Sequence, residues 1–314
     1  MESRPCPLGC PPDDTPVLVG RDRLHWLPGE FQVVRCRVCG LLRTDPRPAP
    51  EAISFYYPAD YGPYLYTRVA TTDERDLRPR WRRRLSRVVQ AAVRVNAERL
   101  PAMSPGRMLE IGCASGAFLH RMAAAGWQAE GIEFSESAAA AARRLGYRVD
   151  TGPLEVAPDR PEQYDLVVGW MVLEHLHDPI RALKKLWSWT KPGGWLVVSV
   201  PNADCYEFVL FREAWFALQL PTHLYHFTPE TLATLLDRSG WRLEKIFYHR
   251  DLRNLLGSLS YVLSDRGIFN RLARRLSEFP ERGGRLSPLL HPLAVVLSAL
   301  GQTGRMTAWA RRVD

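Results

Sequence analysis

No stretch of this chain reaches the ~18 uninterrupted apolar residues that a membrane-spanning helix needs. The opening residues, Met1-Glu-Ser-Arg-Pro-Cys6, also lack the apolar core of a secretory signal. A cytoplasmic protein is therefore the expectation. Lysine is scarce: the formal net charge of +8 rests almost wholly on arginine, densest in Arg78-Pro-Arg-Trp-Arg-Arg-Arg-Leu-Ser-Arg87. Such a run suits an anionic partner, but a solvated helix face is the commoner role. Glycine is missing where a nicotinamide or flavin site would need it. In Met108-Leu-Glu-Ile-Gly-Cys-Ala-Ser-Gly116, Gly112 and Gly116 bracket Cys113, Ala114 and Ser115. The middle glycine of G-x-G-x-x-G, which lets the backbone close on a pyrophosphate, is absent. A ligand without phosphate is favoured.

What is present around that turn points to a nucleoside. Met108, Leu109 and Ile111 read as a buried parallel strand, the glycines permit a tight turn, and the residues after Gly116 open a helix. A second strand, Trp127-Gln-Ala-Glu-Gly-Ile-Glu133, ends in a carboxylate. In an open α/β sheet that acid lies beside the first turn and can accept both ribose hydroxyls.

Four of the six cysteines form two knuckles, Cys6-Pro-Leu-Gly-Cys10 and Cys36-Arg-Val-Cys39. Four thiolates can close a tetrahedral zinc shell, and so short and proline-rich a segment has too little apolar content to fold without a staple. A structural zinc ribbon over residues 1–45 is expected, with Cys6, Cys10, Cys36 and Cys39 as ligands and no catalytic role. Its first knuckle is C-x3-C where ribbons usually show C-x2-C. A connector follows over 46–104, with prolines from Thr44 to Glu51, an aromatic patch from Phe55 to Tyr64 and a basic helix over 77–99. The tyrosines suit packing between domains and a lid over a ligand equally well.

From 105 the pattern alternates: strand 107–111, helix 116–125, strand 127–133, helix 135–145, strands 147–150 and 164–169, helix 178–190 and strand 194–200. A helix near 229–239 and a strand near 241–249 continue it. This is a βαβ series with a parallel sheet and helices on both faces. Pro192-Gly193-Gly194 reads as a turn, Thr228-Pro229 as a helix start, and Gly304 to Arg312 as a closing strand. Residues 252–302 interrupt the series with two apolar helical stretches, Leu252–Leu263 and Leu286–Leu300, separated by arginine-rich and glycine-rich segments. His291-Pro292 is expected to interrupt the second. A cap over the pocket or a homodimer surface is favoured over a peripheral membrane contact.

The glycine turn, the acid at Glu133 and the closing strand together resemble the class I S-adenosylmethionine-dependent methyltransferases, in particular a subgroup with an N-terminal zinc ribbon. The resemblance covers roughly 105–250 and 303–314. It implies a Rossmann-like α/β sheet, mostly parallel with one antiparallel strand at the edge, in a domain spanning 105–314. It also implies S-adenosyl-L-methionine as cofactor, held by Glu110, Gly112, Cys113, Ala114, Ser115 and Gly116, with Glu133 and Phe134 after the second strand and Trp170 and Met171 after the fourth. The segment Gly169-Trp-Met-Val-Leu-Glu-His-Leu-His-Asp-Pro179 matches a sequence common in small-molecule methyltransferases. That segment carries no N-P-P-Y/F, Pro-Cys or paired-glutamate motif that would point to bases, cytosine C5 or protein arginine.

A sulfonium methyl is already activated, so alignment and exclusion of water dominate, while an unactivated hydroxyl also needs a base. His175 is the first candidate, with Glu174 orienting it or acting in its place; Glu174 and Asp178 as helix caps are the bland alternative. In the ribbon-bearing subgroup a sequence similar to His223-Leu-Tyr-His226-Phe-Thr-Pro places its histidines near the acceptor. Some distantly similar enzymes bind Mg²⁺ through glutamates and histidines at these places, but Met171 stands where they have an earlier glutamate. Cys113 is a small side chain fitting a crowded turn, and Cys205 has no assigned role. The expected activity is methyl transfer to a small molecule, at oxygen first and at carbon or nitrogen otherwise. An RNA methyltransferase gripping nucleic acid with ribbon and basic helix is one rival, and a noncatalytic scaffold is the other.

Overall fold

The computed structural model describes residues 1–58, 99–268, 270–277 and 287–313. The basic helix expected over 77–99, all but its last residue, and Tyr61 and Tyr64 of the aromatic patch lie outside these residues. Three strands open the chain, β1 (Asp14–Arg21), β2 (Glu30–Cys36) and β3 (Leu42–Thr44), followed by a 3-10 turn at Ile53–Tyr56. Then come β4 (Arg107–Ile111), α1 (Ala117–Ala124), β5 (Gln128–Glu133), α2 (Glu136–Arg144), β6 (Arg148–Thr151), β7 (Tyr164–Trp170), α3 (Pro179–Trp189) and β8 (Thr190–Pro201). The chain continues with α4 (Tyr206–Phe211), β9 (Tyr225–His226), α5 (Pro229–Arg238) and β10 (Trp241–Tyr248). It ends with α6 (Arg253–Asp265), α7 (Asn270–Ser277), α8 (Ser287–Ala299) and β11 (Arg305–Arg312).

The main sheet runs β10-β11-β8-β7-β4-β5-β6. Strands β4 to β8 pair in parallel, whereas β11 enters antiparallel between β8 and β10. Strand order reverses about β4, whose neighbours are β5 on one side and β7 on the other, so a crevice opens beyond their carboxyl ends. Leu166, Val167, Val168 and Leu196 to Val198 are fully buried, as central strands covered on both faces require. One face packs Leu183, Leu186, Trp189, Leu232, Leu236 and Trp241, and the other packs Phe118, Leu119, Met122 and Ala142. At ~25 cal/mol per Å² each such large apolar side chain contributes roughly 1.5–3 kcal/mol. Asp178 caps α3 by accepting the Arg181 N–H at 3.0 Å, and Thr228 with Thr231 forms a capping box on α5 before Pro229.

Two local readings change. Pro192-Gly193-Gly194 is no separate turn: Thr190 already pairs with Tyr164, Trp195 pairs with Leu166, and the residues between bulge out of β8. In the insertion, His291-Pro292 does not interrupt the helix, since Pro292 lies inside α8. Pro292 is the sixth of the 13 residues of α8 and forgoes one hydrogen bond, to the carbonyl of residue 288. The arginine-rich separator forms α7, because Ala273 and Leu276 are buried and Leu276 packs with Leu256 of α6. Among the described residues, no helix is long and apolar enough to cross a membrane.

The amino-terminal strands do not stand apart. Strand β3 pairs with β9, making a second sheet in the order β1-β2-β3-β9.

Candidate active site

The first turn is shaped by backbone that only small residues tolerate. Gly112 has φ +65°, and a Cβ there would lie 2.4 Å from Val172 Cγ2. Gly116 has φ +82°, and its Cβ would meet Ala142 Cβ at 2.8 Å, so glycine sets the approach of α1 to α2. Ala114, at φ +46°, turns its N–H onto Glu133 Oε2 at 2.8 Å, while the Ser135 N–H reaches Oε1 at 2.8 Å. Burial pushes the Glu133 carboxyl up, and the N–H groups of Ser135, Ala114 and Phe134 oppose that push. These backbone N–H groups fix the carboxylate's orientation, and Glu133 lines the adjoining cavity.

That cavity has a volume of about 340 Å³. Of the expected cofactor residues, Gly112, Ala114, Glu133, Phe134, Trp170 and Met171 line it. Glu110, Cys113, Ser115 and Gly116 do not. Glu110 is buried within β4, and Cys113 turns its sulfur toward Gly131, where a Cβ would come within 2.5 Å. Burial pushes the Cys113 thiol well up, which disfavours its thiolate. Sequence reasoning missed Gly152, Pro153, Leu154 and Glu155 on the same wall. The Gly-Pro turn after β6, at the carboxyl end of a parallel strand, was the available signal.

The opposite wall follows β7. Met171 takes φ +58°, a costly backbone for that residue, and its N–H bonds the Ser199 carbonyl at 2.8 Å. The next turn carries Glu174, fully buried with both carboxylate oxygens lacking a hydrogen-bond partner. Burial pushes its carboxyl up to about 8, opposed by the charge of Arg305. His175 Nδ1 lies 2.9 Å from the Thr222 carbonyl and 2.8 Å from Tyr57 Oη. A carbonyl only accepts, so Nδ1 carries the proton and Nε2 keeps a lone pair. Burial draws His175 down to about 4, leaving the ring neutral. His223 Nδ1 donates to the Ala217 carbonyl at 2.9 Å, and its ring centroid lies 4.6 Å from that of His175. One ligand atom from each of Glu174, His175 and His223 falls within 4.8 Å of the other two.

His226 does not join this group. Its two-residue strand pairs with β3, its Nε2 lies 3.5 Å from Thr44 Oγ1, and it does not line the cavity. Ile53, Tyr57, Gln219 and His177 do line it, none of them expected as site residues, although Tyr57 belongs to the patch considered as a lid. No described residue of 252–302 lines the cavity. Instead α6 braces the loop before Gln219: Ser258 Oγ accepts the Phe216 N–H at 2.8 Å, and Asp265 pairs with Arg23 at 2.8 Å.

The model of a family described as a methyltransferase domain matches residues 76–246, more than half of the chain. The chain belongs to this methyltransferase family. A ubiquinone biosynthesis O-methyltransferase of Bordetella pertussis is 32% identical over 152 residues, covering 44% of this chain and 63% of the relative. One of the same description from Nitrosospira multiformis is 27% identical over 153 residues, 44% of this chain and 64% of the relative. The chain thus spans about 63% of the length of the curated relatives it matches. A phosphoethanolamine N-methyltransferase 2 of Haemonchus contortus, solved in complex with S-adenosyl-L-methionine, is 16% identical with a TM-score of 0.46, covering 74% of this chain and 53% of that one. No chemistry follows from a structural likeness at this level.

Outside the methyltransferase crevice, the four amino-terminal sulfurs converge. Cys6, Cys10, Cys36 and Cys39 place their Sγ atoms within 4.8 Å of one another, with Cys6 and Cys39 3.6 Å apart. Zinc–sulfur bonds near 2.3 Å in a tetrahedron imply edges of about 3.8 Å, so the donor set fits that ion. The Cys6 sulfur accepts the Leu8 N–H and that of Cys36 accepts those of Val38 and Cys39, as a ligating sulfur in a knuckle would.

Proposed function

We propose that the protein transfers a methyl group from S-adenosyl-L-methionine to a hydroxyl of a small molecule, with Cys6, Cys10, Cys36 and Cys39 holding a structural zinc. One observation carries this: a single cavity sits between the backbone-locked carboxylate of Glu133 and the neutral His175. Glu133 would receive the ribose hydroxyls, and the turn from Gly112 to Ala114 would hold the cofactor beside them. The cofactor supplies an electrophilic methyl, and the chain's own groups align, desolvate and deprotonate. Mostly apolar walls, including Ile111, Ile132, Leu154 and Trp170, keep water from the methyl. His175 Nε2 would take the acceptor's proton. An imidazole held near pKa 4 is a weak base, yet an oxygen gaining a bond to carbon becomes strongly acidic, so late proton transfer suffices. The names of the relatives in biosynthesis of a small molecule support oxygen as the acceptor atom, and six cysteines without a disulfide among them suit a reducing cytoplasm.

The test is calorimetric titration with S-adenosyl-L-methionine, followed by transfer of its labelled methyl to fractionated cell extract. Label in small molecules supports the assignment; label in RNA shifts it to the nucleic-acid rival, and cofactor binding without transfer to either supports a scaffold. The unpartnered, buried Glu174 carboxylate favours a second reading, in which Glu174, His175 and His223 hold a divalent cation at the acceptor side. Activity abolished by removing Mg²⁺ and restored by adding it would establish that alternative.

A further inference from the structure

The two walls of the cavity differ in origin. Gly112, Ala114, Glu133 and the turn from Gly152 to Glu155 come from loops of β4, β5 and β6 alone. On the other wall, residues from the ribbon and its connector hold both histidines. Strand β3 begins three residues after Cys39, so the cysteine cluster fixes its position. The Thr44 N–H donates to the Leu224 carbonyl at 3.0 Å, and Thr44 Oγ1 donates to the His223 carbonyl at 2.8 Å. The Leu224 N–H in turn donates to the Glu174 carbonyl at 2.8 Å. One backbone stack therefore ties the ribbon to the His223 loop and onward to the turn bearing His175. A second tie runs through Arg47, which donates to Tyr225 Oη at 2.8 Å and to the His177 carbonyl at 3.0 Å. Farther along, Tyr57 sets its hydroxyl 2.8 Å from His175 Nδ1.

We propose that Thr44 and Tyr57 are positioning residues for His223 and His175, so that the zinc ribbon and its connector brace the acceptor-side wall of the active site and the ribbon is not a separate binding module. The significance for catalysis rests on the methyl-transfer assignment, but the placement itself does not. Thr44 is 1% exposed and His223 is 1% exposed, so no water replaces the hydroxyl donor if it is removed. The His223 carbonyl loses its partner and the loop shifts. Tyr57 acts differently. The Nδ1 proton is committed to Thr222, so the Tyr57 oxygen lies close enough to share it in a three-centre bond and fix the ring's tilt, aiming Nε2.

The experiment uses the full chain with its zinc and three variants, Thr44→Val, Thr44→Ser and Tyr57→Phe. Two measurements are made on each: affinity for S-adenosyl-L-methionine by calorimetry, and the ring ¹⁵N and ¹H resonances of His175 and His223 by long-range correlation NMR. Cofactor affinity should stay within about twofold of the parent in all three, since twofold is only ~0.4 kcal/mol. Thr44→Val should move the His223 ring signals, Thr44→Ser should restore them, and Tyr57→Phe should move His175. Ring signals that superimpose on the parent in both Thr44→Val and Tyr57→Phe would overturn the proposal, as would cofactor affinity falling in parallel with the ring shifts. Should Thr44→Val fail to fold, Tyr57→Phe decides alone, because it deletes one hydroxyl from a half-buried ring. If the parent does not bind the cofactor, the methyl-transfer assignment fails, while the resonances still decide whether the ribbon positions the histidines.

Discussion

Replacing Glu174 with glutamine should flatten the fall in stability that the parent suffers between pH 7 and pH 9. In the folded chain the carboxyl titrates at about 8, raised by burial from an ordinary value of 4.5. The folded state thus keeps a proton that the unfolded state has already released. That contribution is fully present below pH 4.5 and is lost as pH rises through 8. Across pH 7 to 9 the unfolded glutamate stays ionised while the folded one passes from mostly protonated to mostly ionised, which costs about 1.4 kcal/mol. Glutamine has the same shape and no such term. His175 and His223 titrate in the opposite sense, being held low in the fold, and their contribution is nearly complete by pH 7. Glu207, raised to about 7, does overlap the window, but both proteins share it and it cancels in the difference. At roughly 2–4 °C per kcal/mol, the parent should lose about 3–6 °C more than Glu174→Gln in thermal midpoint between these pH values. Thermal scans in metal-free buffer without chelator, which leaves thiolate-bound zinc in place, measure this. Parallel decline of the two proteins would refute a neutral, buried Glu174. If Mg²⁺ lifts the parent at pH 9 and leaves Glu174→Gln unmoved, the carboxylate serves a cation instead.

Three further outcomes are expected. Glu133→Ala should weaken cofactor binding by roughly 1.5–3 kcal/mol, or about 10- to 150-fold, by removing a charged acceptor site; unchanged calorimetric affinity would sink the ribose assignment. His175→Asn should lower turnover roughly 10²- to 10⁴-fold in the labelled-methyl assay while sparing cofactor affinity; a variant as active as the parent would remove His175 as the base. Mass spectrometry under native conditions should find one zinc per chain, lost in Cys36→Ser and kept in Cys113→Ser. Retention of zinc in Cys36→Ser would argue against the four-sulfur shell.

The sheet was legible because its signals are local. An apolar run such as Asp165-Leu-Val-Val-Gly169 has few alternatives to a central strand, and Thr228-Pro229 announces a helix within its own four residues. The same local rules failed at Pro192-Gly193-Gly194 and at Pro292. At the first, pairing with β7 decides that the breaker bulges and does not end the strand, and at the second the helix continues through the proline. Around the first turn, spacing showed which residues flank the crevice but not which ones face it. Glu110 and Cys113 sit beside Gly112 in sequence, yet alternation along β4 and the packing of Cys113 against Gly131 turn them away from the cavity.

The acceptor wall was hidden for a different reason. His175 and His223 could be named as candidates, but their partners, Thr222, Ala217, Thr44 and Tyr57, are spread across the chain with no periodicity to connect them. Only the pairing of β3 with β9 brings the ribbon to the histidine loop, and a two-residue strand leaves almost no hydrophobic pattern to read. The same pairing explains why His226, the equal of His223 in sequence, lies elsewhere. His223 is held by Ala217 and Thr44 beside the cavity, whereas His226 belongs to the strand itself and is taken up in the seam with β3. A histidine that completes a sheet seam and one that faces a cavity look alike in sequence, because the difference lies in which strand each one meets.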